Sequence, residues 1–286
     1  MDEVTEQTFT LFNGQSIALK SWGNPDAPPI LAMHGWLDNL SSFEALAPCL
    51  AETHYVVAID LPGHGLSDPA LPGYIHLLDT VGMVVQVLDN LCWGEVTILG
   101  HSLGAAIGCL VAGSFPERVS KLCLIDALGP YTCPIGQTAT HVRKVIEDYQ
   151  QLSRKKTPAY KSIANALEAR LRVTPMVERG AKALVRRGLK KDGSVYRWRT
   201  DQRLTVPPMS MLSEEQLECF LKQITAAACL IRPDSGWPFG EALFVSRSAC
   251  FQQLQVHRMP GSHHVHIDDP EAVSMVFKRF LSEKDV

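Results

Sequence analysis

The strongest constraint on the fold comes from four short apolar runs, each followed at once by residues that favour a turn. These runs cover residues 29–33, 55–59, 96–99 and 122–125. Because polar residues do not alternate along them, they are typical of strands covered on both faces, as in a parallel sheet. Segments of helical character, such as residues 77–91 and 105–113, separate the runs. The pattern predicts repeated βαβ units and therefore an α/β fold.

An antiparallel pair is predicted at the start of the chain. Asn13-Gly14 lies between the apolar residues 9–12 and 16–20, and this dipeptide between two such runs is a strong hairpin signal. Further strand-like runs occur at residues 228–231 and 254–257. We therefore expect a mixed sheet that is antiparallel at its first edge and parallel afterwards.

Residues 131–228 differ in character from the rest of the chain. They contain no strand-like run, and they carry 18 Lys+Arg against 9 Asp+Glu, a net charge of +9. Since the whole chain has a net charge of −3, the remaining residues carry −12. We expect a helical insertion over residues 131–228 that interrupts a sheet domain formed by residues 1–130 and 229–286.

Composition excludes several classes of protein. The 286 residues are 46% hydrophobic and 20% charged, with a mean hydropathy of +0.01, which is typical of a globular chain able to bury a sizeable core. The small net charge argues against a general nucleic-acid or membrane-surface binder. No apolar run reaches the roughly 18 residues that a membrane-spanning helix needs. No nucleic-acid partner and no membrane span are expected, and the sequence leaves the oligomeric state open.

The N-terminal residues and the cysteines favour a cytoplasmic protein. Residues 1–6 are acidic, whereas a signal peptide begins with basic and then apolar residues. The eight cysteines are scattered without a Cys-x-x-Cys pair. We expect reduced thiols that behave as small apolar side chains, with no disulfides and no zinc site.

One motif predicts nucleophilic chemistry. Gly100-His101-Ser102-Leu103-Gly104 has the pattern Gly-x-Ser-x-Gly and lies between a predicted strand and a predicted helix. A tight turn in this context strains the serine backbone and exposes its hydroxyl above the sheet. The N–H group of Leu103, at the start of the helix, is then free to bind a developing oxyanion.

These features together resemble the α/β-hydrolase fold family, and within it the serine hydrolase-like proteins. The resemblance spans nearly the whole chain through four segments in the family's order, at residues 32–36, 60–67, 100–104 and 261–267. It implies a mostly parallel eight-stranded sheet with helices on both faces and a helical cap inserted after strand 6. The Asp60–Ser67 segment lacks a dinucleotide-binding glycine pattern, and we interpret it as a structural turn.

The resemblance also implies an oxyanion hole and a general base. The backbone N–H of Trp36 would act beside that of Leu103, and His34 would brace the loop. In Gly261-Ser-His-His-Val-His-Ile267 the family pattern gives His263 the catalytic role and His266 a structural one. Imidazole suits the role because its two nitrogens can face a serine and a carboxylate at once. His264-x-His266-x-Asp268 matches only part of a metal-binding motif, so we predict no metal and no cofactor.

The acid of the triad remains open at this point. It must lie between the serine and the histidine in the chain. Asp126 follows the run 122–125, and Asp234 follows the run 228–231. The family's more common position for the acid lies after the later run, but there it falls nearer Gly236 than Asp234. We favour Asp126 slightly and keep Asp234 as the alternative.

A serine at this position implies acyl transfer, because related dehalogenases and epoxide hydrolases carry an aspartate there. The predicted substrate is a small carboxylic ester or thioester, with Trp36, His101 and Trp198 as substrate-binding candidates. The basic insertion could attract an anionic substrate, although runs such as residues 154–156 are more often solvated helix faces. Two alternatives remain: a binding protein with weak turnover, and an interaction protein that docks through its basic insertion.

Overall fold

The computed structural model describes residues 4–152, 154 and 157–283. Asp2, Glu3, Lys155 and Lys156, which entered the sequence analysis, lie outside these residues. The strands are β1 (Thr5–Thr10), β2 (Ser16–Trp22), β3 (Pro29–Met33), β4 (Tyr55–Ile59), β5 (Val96–His101), β6 (Val119–Ile125), β7 (Leu189–Asp192), β8 (Val195–Trp198), β9 (Ala227–Ser235) and β10 (Leu254–Ser262). The helices are α1 (Ala47–Leu50), α2 (Asp79–Asn90), α3 (Leu103–Ser114), α4 (Thr138–Leu152), α5 (Ile163–Val173), α6 (Glu178–Gly188), α7 (Glu214–Gln223), α8 (Glu241–Ser248), α9 (Val265–Asp268) and α10 (Pro270–Ser282).

Eight strands form one mixed sheet in the order β1-β2-β4-β3-β5-β6-β9-β10. The β1–β2 and β2–β4 pairs are antiparallel, and every later pair is parallel. This confirms the predicted mixed sheet, including the hairpin at Asn13-Gly14. In a parallel sheet the carboxyl ends of neighbouring strands lie at one edge. The turns after β3, β5, β6 and β10 are thereby brought together there.

Alternate residues of the central strands enter two separate core layers. Leu31, Met33 and Ile98 pack with α2, α3 and α7, whereas Ile30, Ala32 and Leu99 pack with α1 and α10. Both faces of the sheet are therefore covered by helices, as predicted. This double coverage explains why the strands are apolar without interruption.

The segment between β6 and β9 is mainly helical, and we call residues 131–226 the inserted segment. The prediction that it contains no strand is wrong. Strands β7 and β8 pair antiparallel within it, and Gly193 turns the chain between them with φ 59°. The sequence Leu-Lys-Lys-Asp of β7 has only one apolar residue, so its strand character depends on pairing rather than on hydrophobic pattern.

Helix α7 lies in the inserted segment but packs in the main core. Its Leu217 and Leu221 are fully buried in the layer that contains α3. Helix α7, which the sequence analysis includes in the insertion, therefore contributes side chains to the core beneath the sheet. None of the described helices combines the length and apolar character needed to cross a bilayer.

Candidate active site

Ser102 lies in the sharp turn between β5 and α3. Its backbone has φ 51° and ψ −109°, a conformation that non-glycine residues rarely adopt and that costs of order 1–3 kcal/mol. The Ser102 N–H donates to the carbonyl of Ile125 at 2.9 Å, which fixes the turn to the end of β6. At Gly104 a side chain would collide with the Met33 carbonyl, so glycine permits the close packing of α3 on β3. The turn leaves Ser102 partly exposed.

His263 follows the last strand and contacts a carboxylate. Its Nδ1 lies 2.6 Å from Oδ2 of Asp126, and because an ionised carboxylate only accepts, Nδ1 carries the proton. In the neutral ring Nε2 then holds a lone pair and can accept a proton. The His263 side chain is 17% exposed and that of Asp126 is 5% exposed. The pair is therefore shielded from water on the acid side and open on the imidazole side.

The structure brings Asp126, and not Asp234, to His263. Oδ2 of Asp126 also accepts from the Trp237 N–H at 2.6 Å. A Cβ atom on Gly236 would lie 2.5 Å from the Asp126 carboxylate oxygens, so glycine allows the chain after β9 to approach this closely. Asp234 is exposed near the end of β9 and makes no hydrogen bond to His263 among the described residues.

The two backbone N–H groups proposed for the oxyanion hole follow neighbouring strands, β3 and β5. Leu103 is the first residue of α3, and Trp36 follows β3 by three residues. Neither N–H donates to any group in the described part of the chain. The neighbouring Leu37 N–H donates to Nε2 of His64 at 3.2 Å. The turn after β3 thus leaves the Trp36 N–H free, whereas the adjacent Leu37 N–H is hydrogen-bonded.

Two further histidines brace the loops around this turn. Nε2 of His34 accepts from the Leu61 N–H at 3.0 Å, and His64 accepts from Leu37. Burial lowers the pKa of His34 to about 4 and that of His64 to about 3. Both rings are therefore neutral acceptors that hold these loops together.

His101, a substrate-binding candidate from the sequence, lies inside the protein. Its side chain is 0% exposed, so we leave His101 out of the proposed substrate-binding residues. Its Nε2–H donates to the backbone carbonyl of His263 at 2.9 Å, and burial lowers the pKa of His101 well below its usual value. The ring therefore supports the turn that carries His263 from inside the protein.

Asp38, His101 and His264 form the cluster with metal-ligating potential in the described residues. Their donor atoms lie within 4.8 Å of one another. However, the Asp38 carboxylate already accepts from Arg170 on one oxygen and from Nε2 of His264 at 2.9 Å on the other. Burial alone would raise the pKa of Asp38, but His264 and Arg170 outweigh it and hold this pKa below its usual range. Because a cation already occupies this carboxylate, the arrangement fits an ion-pair network better than a metal site.

The predicted tryptophans lie in different surroundings. Trp36 is half exposed, and its indole N–H donates to the Leu204 carbonyl at 2.7 Å. Trp198 packs on Tyr160 in a small core of the inserted segment, and no described contact joins it to Ser102 or His263. We therefore leave Trp198 out of the proposed site.

Sequence reasoning missed Trp237. Its ring lies 5.4 Å from that of His263, centroid to centroid, and 6.2 Å from that of Tyr131. Trp237 is half exposed and Tyr131 more so, so the two rings form an open aromatic wall beside His263. The sequence feature that could have indicated Trp237 is Gly236-Trp237, at the position where the family more often carries its acid.

Comparisons with known proteins identify the family of this chain. A sequence profile described as alpha/beta hydrolase fold matches residues 28–158. A probable serine hydrolase of Drosophila melanogaster is 31% identical over 94% of this chain and 85% of its own length. Serine hydrolase-like protein 2 of Homo sapiens is 33% identical over 93% of this chain and 90% of its own. The chain belongs to the α/β-hydrolase fold family. Its similarity to these relatives covers both the sheet and the inserted segment.

Solved structures share this fold over nearly the whole chain. A hypothetical protein from Pseudomonas aeruginosa PAO1 superimposes with a TM-score of 0.89 at 33% identity, over 98% of this chain and all of that one. A thioesterase domain from the curacin biosynthetic pathway gives a TM-score of 0.83 at 24% identity, over 96% of this chain and 99% of that one. The second similarity supports the α/β-hydrolase fold alone.

The buried histidines of this α/β-hydrolase predict acid sensitivity. Burial lowers the pKa values of His34, His64, His101 and His266 from 6.5. A histidine with a lower pKa in the folded chain stabilises the fold above pH 6.5, and this contribution is lost as the pH falls toward the folded value. We expect the free energy of unfolding, from urea denaturation, to fall between pH 6.5 and pH 5, by at most roughly 2 kcal/mol for any one histidine.

A matched pair of variants tests this origin. His266→Leu should make the pH slope shallower, whereas replacement of the exposed His76 by Gln should leave it unchanged. A free energy of unfolding that stays constant between pH 6.5 and pH 5 would contradict the assignment.

Proposed function

We propose that this α/β-hydrolase is a serine hydrolase that cleaves a carboxylic ester or thioester through an acyl-enzyme on Ser102. The observation that carries the proposal is the 2.6 Å contact between Nδ1 of His263 and Asp126. With the proton on Nδ1, Nε2 of His263 is the basic nitrogen. His263 and the strained Ser102 lie in turns at the same edge of the sheet. The proposal needs no cofactor.

The proposed reaction proceeds in two acyl-transfer steps. Oγ of Ser102 attacks the substrate carbonyl carbon while Nε2 of His263 takes the hydroxyl proton. The carbonyl oxygen becomes an oxyanion, which the N–H groups of Trp36 and Leu103 stabilise. The intermediate then expels the alcohol or thiol, which receives the proton from His263. His263 then takes a proton from water, which attacks the acyl-enzyme and forms a second tetrahedral intermediate. This intermediate expels Oγ of Ser102, which takes the proton back from His263, and the carboxylic acid is released.

We propose that residues 131–212 of the inserted segment act as a cap over this site. Two of its arginines contact acidic groups of the sheet domain: Arg170 bonds Asp38, and Arg187 bonds Asp60 and Glu6 at 2.8 and 2.7 Å. These ion pairs support the interpretation that the positively charged inserted segment is attracted to the negatively charged sheet domain. It reduces the need to invoke an anionic substrate.

The aromatic wall supports a preference for neutral, apolar leaving groups. His263 protonates the leaving group, so that group departs on the side where Trp237 lies. Aromatic contact contributes about 0.5–1.5 kcal/mol, which corresponds to roughly 2- to 13-fold in rate. We expect Trp237→Ala to lower kcat/KM for p-nitrophenyl acetate by about 3- to 10-fold.

Ethyl acetate and a distant aromatic residue provide the controls for this prediction. Ethyl acetate hydrolysis by Trp237→Ala, followed by pH-stat, should change by no more than about 2-fold, since ethanol offers no ring to stack. Replacement of Phe12, which is 86% exposed at the end of the first hairpin, by Ala should affect neither substrate. Equal losses on both esters would contradict a leaving-group contact.

Turnover and trapping of the acyl group test the proposed function itself. The purified protein is mixed with p-nitrophenyl acetate or with the acetyl thioester of N-acetylcysteamine, and acid-quenched samples are analysed by intact mass. The proposal predicts turnover of at least one of them and a transient acetyl adduct on Ser102. An adduct that forms once without further turnover would indicate the alternative, a binding protein with weak turnover. The absence of both adduct and turnover would contradict the proposal.

A further inference from the structure

We propose that Asp38 is a positioning residue that joins three parts of the site: the turn carrying the Trp36 N–H, the turn carrying His263, and the inserted segment. The inference rests on the proposed function, because it concerns how the groups named there are held. It adds that the oxyanion hole keeps its shape only while the inserted segment is docked on the sheet domain.

The Asp38 carboxylate makes two contacts with distant parts of the chain. One oxygen accepts from the Arg170 guanidinium of α5, and the other accepts from Nε2–H of His264 at 2.9 Å. The Asp38 and His264 side chains are only 2% and 4% exposed, and Arg170 is largely buried. In such surroundings charge-assisted hydrogen bonds are strong and directional.

Each end of this network lies close to a proposed catalytic group. The Asp38 N–H donates to the Gly35 carbonyl at 3.2 Å and closes the turn around Trp36. At the other end His264 directly follows His263 in the chain. A shift of the carboxylate would therefore move both the oxyanion donor and the general base.

The inserted segment holds the turn around Trp36 at two further points. The Trp36 indole donates to the Leu204 carbonyl at 2.7 Å, and Nδ2 of Asn39 donates to the Leu184 carbonyl at 2.9 Å. Between them Leu37 has φ 60°, a strained conformation that persists only where surrounding contacts enforce it. The contacts from the inserted segment supply this enforcement.

Packing alone does not account for a buried carboxylate here. Taking an ion pair out of water is costly, and apolar residues of similar volume often stabilise a fold equally well. Only a group with two directional acceptors links a guanidinium on one side to an imidazole N–H on the other. The geometry therefore favours a role for Asp38 in orienting the two turns over a role in stabilising the fold.

The test compares Asp38→Asn with the double variant Asp38→Asn/Arg170→Met. The first substitution removes the charge and one acceptor, and the second removes the cation that would otherwise be left unpaired. We expect kcat on p-nitrophenyl acetate and the rate of fluorophosphonate labelling to fall by about 10- to 100-fold in both, with KM within about 2-fold of wild type. The double variant should recover the wild-type Tm but not the rate.

Arg172→Met is the matched control, because Arg172 lies on the same helix, is exposed and pairs with Glu168. It should retain the wild-type labelling rate and kcat. The single variant Arg170→Met should also lose rate, because it removes the contact of Asp38 with α5, and Arg170→Lys, which keeps a cation but not the planar guanidinium, should lose less.

The outcomes separate this inference from the proposed function. If wild type labels and both Asp38 variants label equally fast, the inference is wrong while the proposed function stands. If the double variant recovers Tm and rate together, Asp38 serves only to neutralise Arg170, and the inference is again wrong. If Asp38→Asn does not fold, the double variant decides between these results. A folded wild type that does not label overturns the proposed function and this inference with it.

Discussion

Replacement of Asp126 by Asn is expected to lower kcat on p-nitrophenyl acetate by about 10⁴-fold, because the acid of such a triad fixes the tautomer of its histidine. Asp126 accepts the proton on Nδ1 of His263 at 2.6 Å. An asparagine can instead present its NH₂ group to Nδ1, which favours the tautomer with the proton on Nε2. His263 would then have no lone pair to offer Ser102. The measurement is steady-state hydrolysis at pH 8, with Tm as the control for folding.

Asp234→Asn is the matched control because it removes the same charge from the other acid that the sequence allowed. Asp234 is exposed, so we expect kcat within about 2-fold of wild type and an unchanged Tm. The opposite pattern, with a large loss in Asp234→Asn and little in Asp126→Asn, would contradict the assignment of the acid.

Replacement of Ser102 by Ala is expected to reduce kcat by about 10⁴-fold or more and to abolish the acetyl adduct, because no other group can form the acyl-enzyme. The fold should be retained, since alanine is smaller and the hydrogen bond from the residue 102 N–H to Ile125 involves only backbone atoms. Equilibrium binding of a non-hydrolysable ketone analogue, in its unreacted form, should weaken only slightly.

Ser114→Ala is the control for this variant, since Ser114 lies exposed at the other end of α3. Its kcat should match that of wild type. If Ser102→Ala retained more than about a tenth of the wild-type rate, another nucleophile or a bound water would have to perform the reaction.

Local patterns account for the parts of the fold that could be predicted. Strands β3 and β4 were predicted with their observed bounds, since an apolar run next to a turn depends only on neighbouring residues. The hairpin at Asn13-Gly14 and the turn at Ser102 were also recognisable locally. The strands β7 and β8 were not, because their pairing rather than an apolar pattern defines them.

The site depended on tertiary contacts that no local pattern encodes. The contact of Asp126 with His263 requires the chain after β9 to pass close to the carboxylate, which Gly236 permits. His101 and Ser102 are adjacent in sequence, yet His101 is enclosed beneath the turn while Ser102 is partly exposed. The Asp38 network joins residues more than a hundred positions apart. For these reasons the acid remained open, and the burial of His101 could not be predicted from the sequence.

The most direct test of the central claim, that Ser102 is an activated nucleophile, is fluorophosphonate labelling of the folded protein followed by intact mass. Wild type and Ser102→Ala are treated side by side, with urea-unfolded wild type as the control for non-specific reaction. The proposed triad predicts a single adduct on folded wild type and none on Ser102→Ala or on the unfolded chain. A folded wild type without an adduct, or a Ser102→Ala variant labelled as fast as wild type, would contradict it.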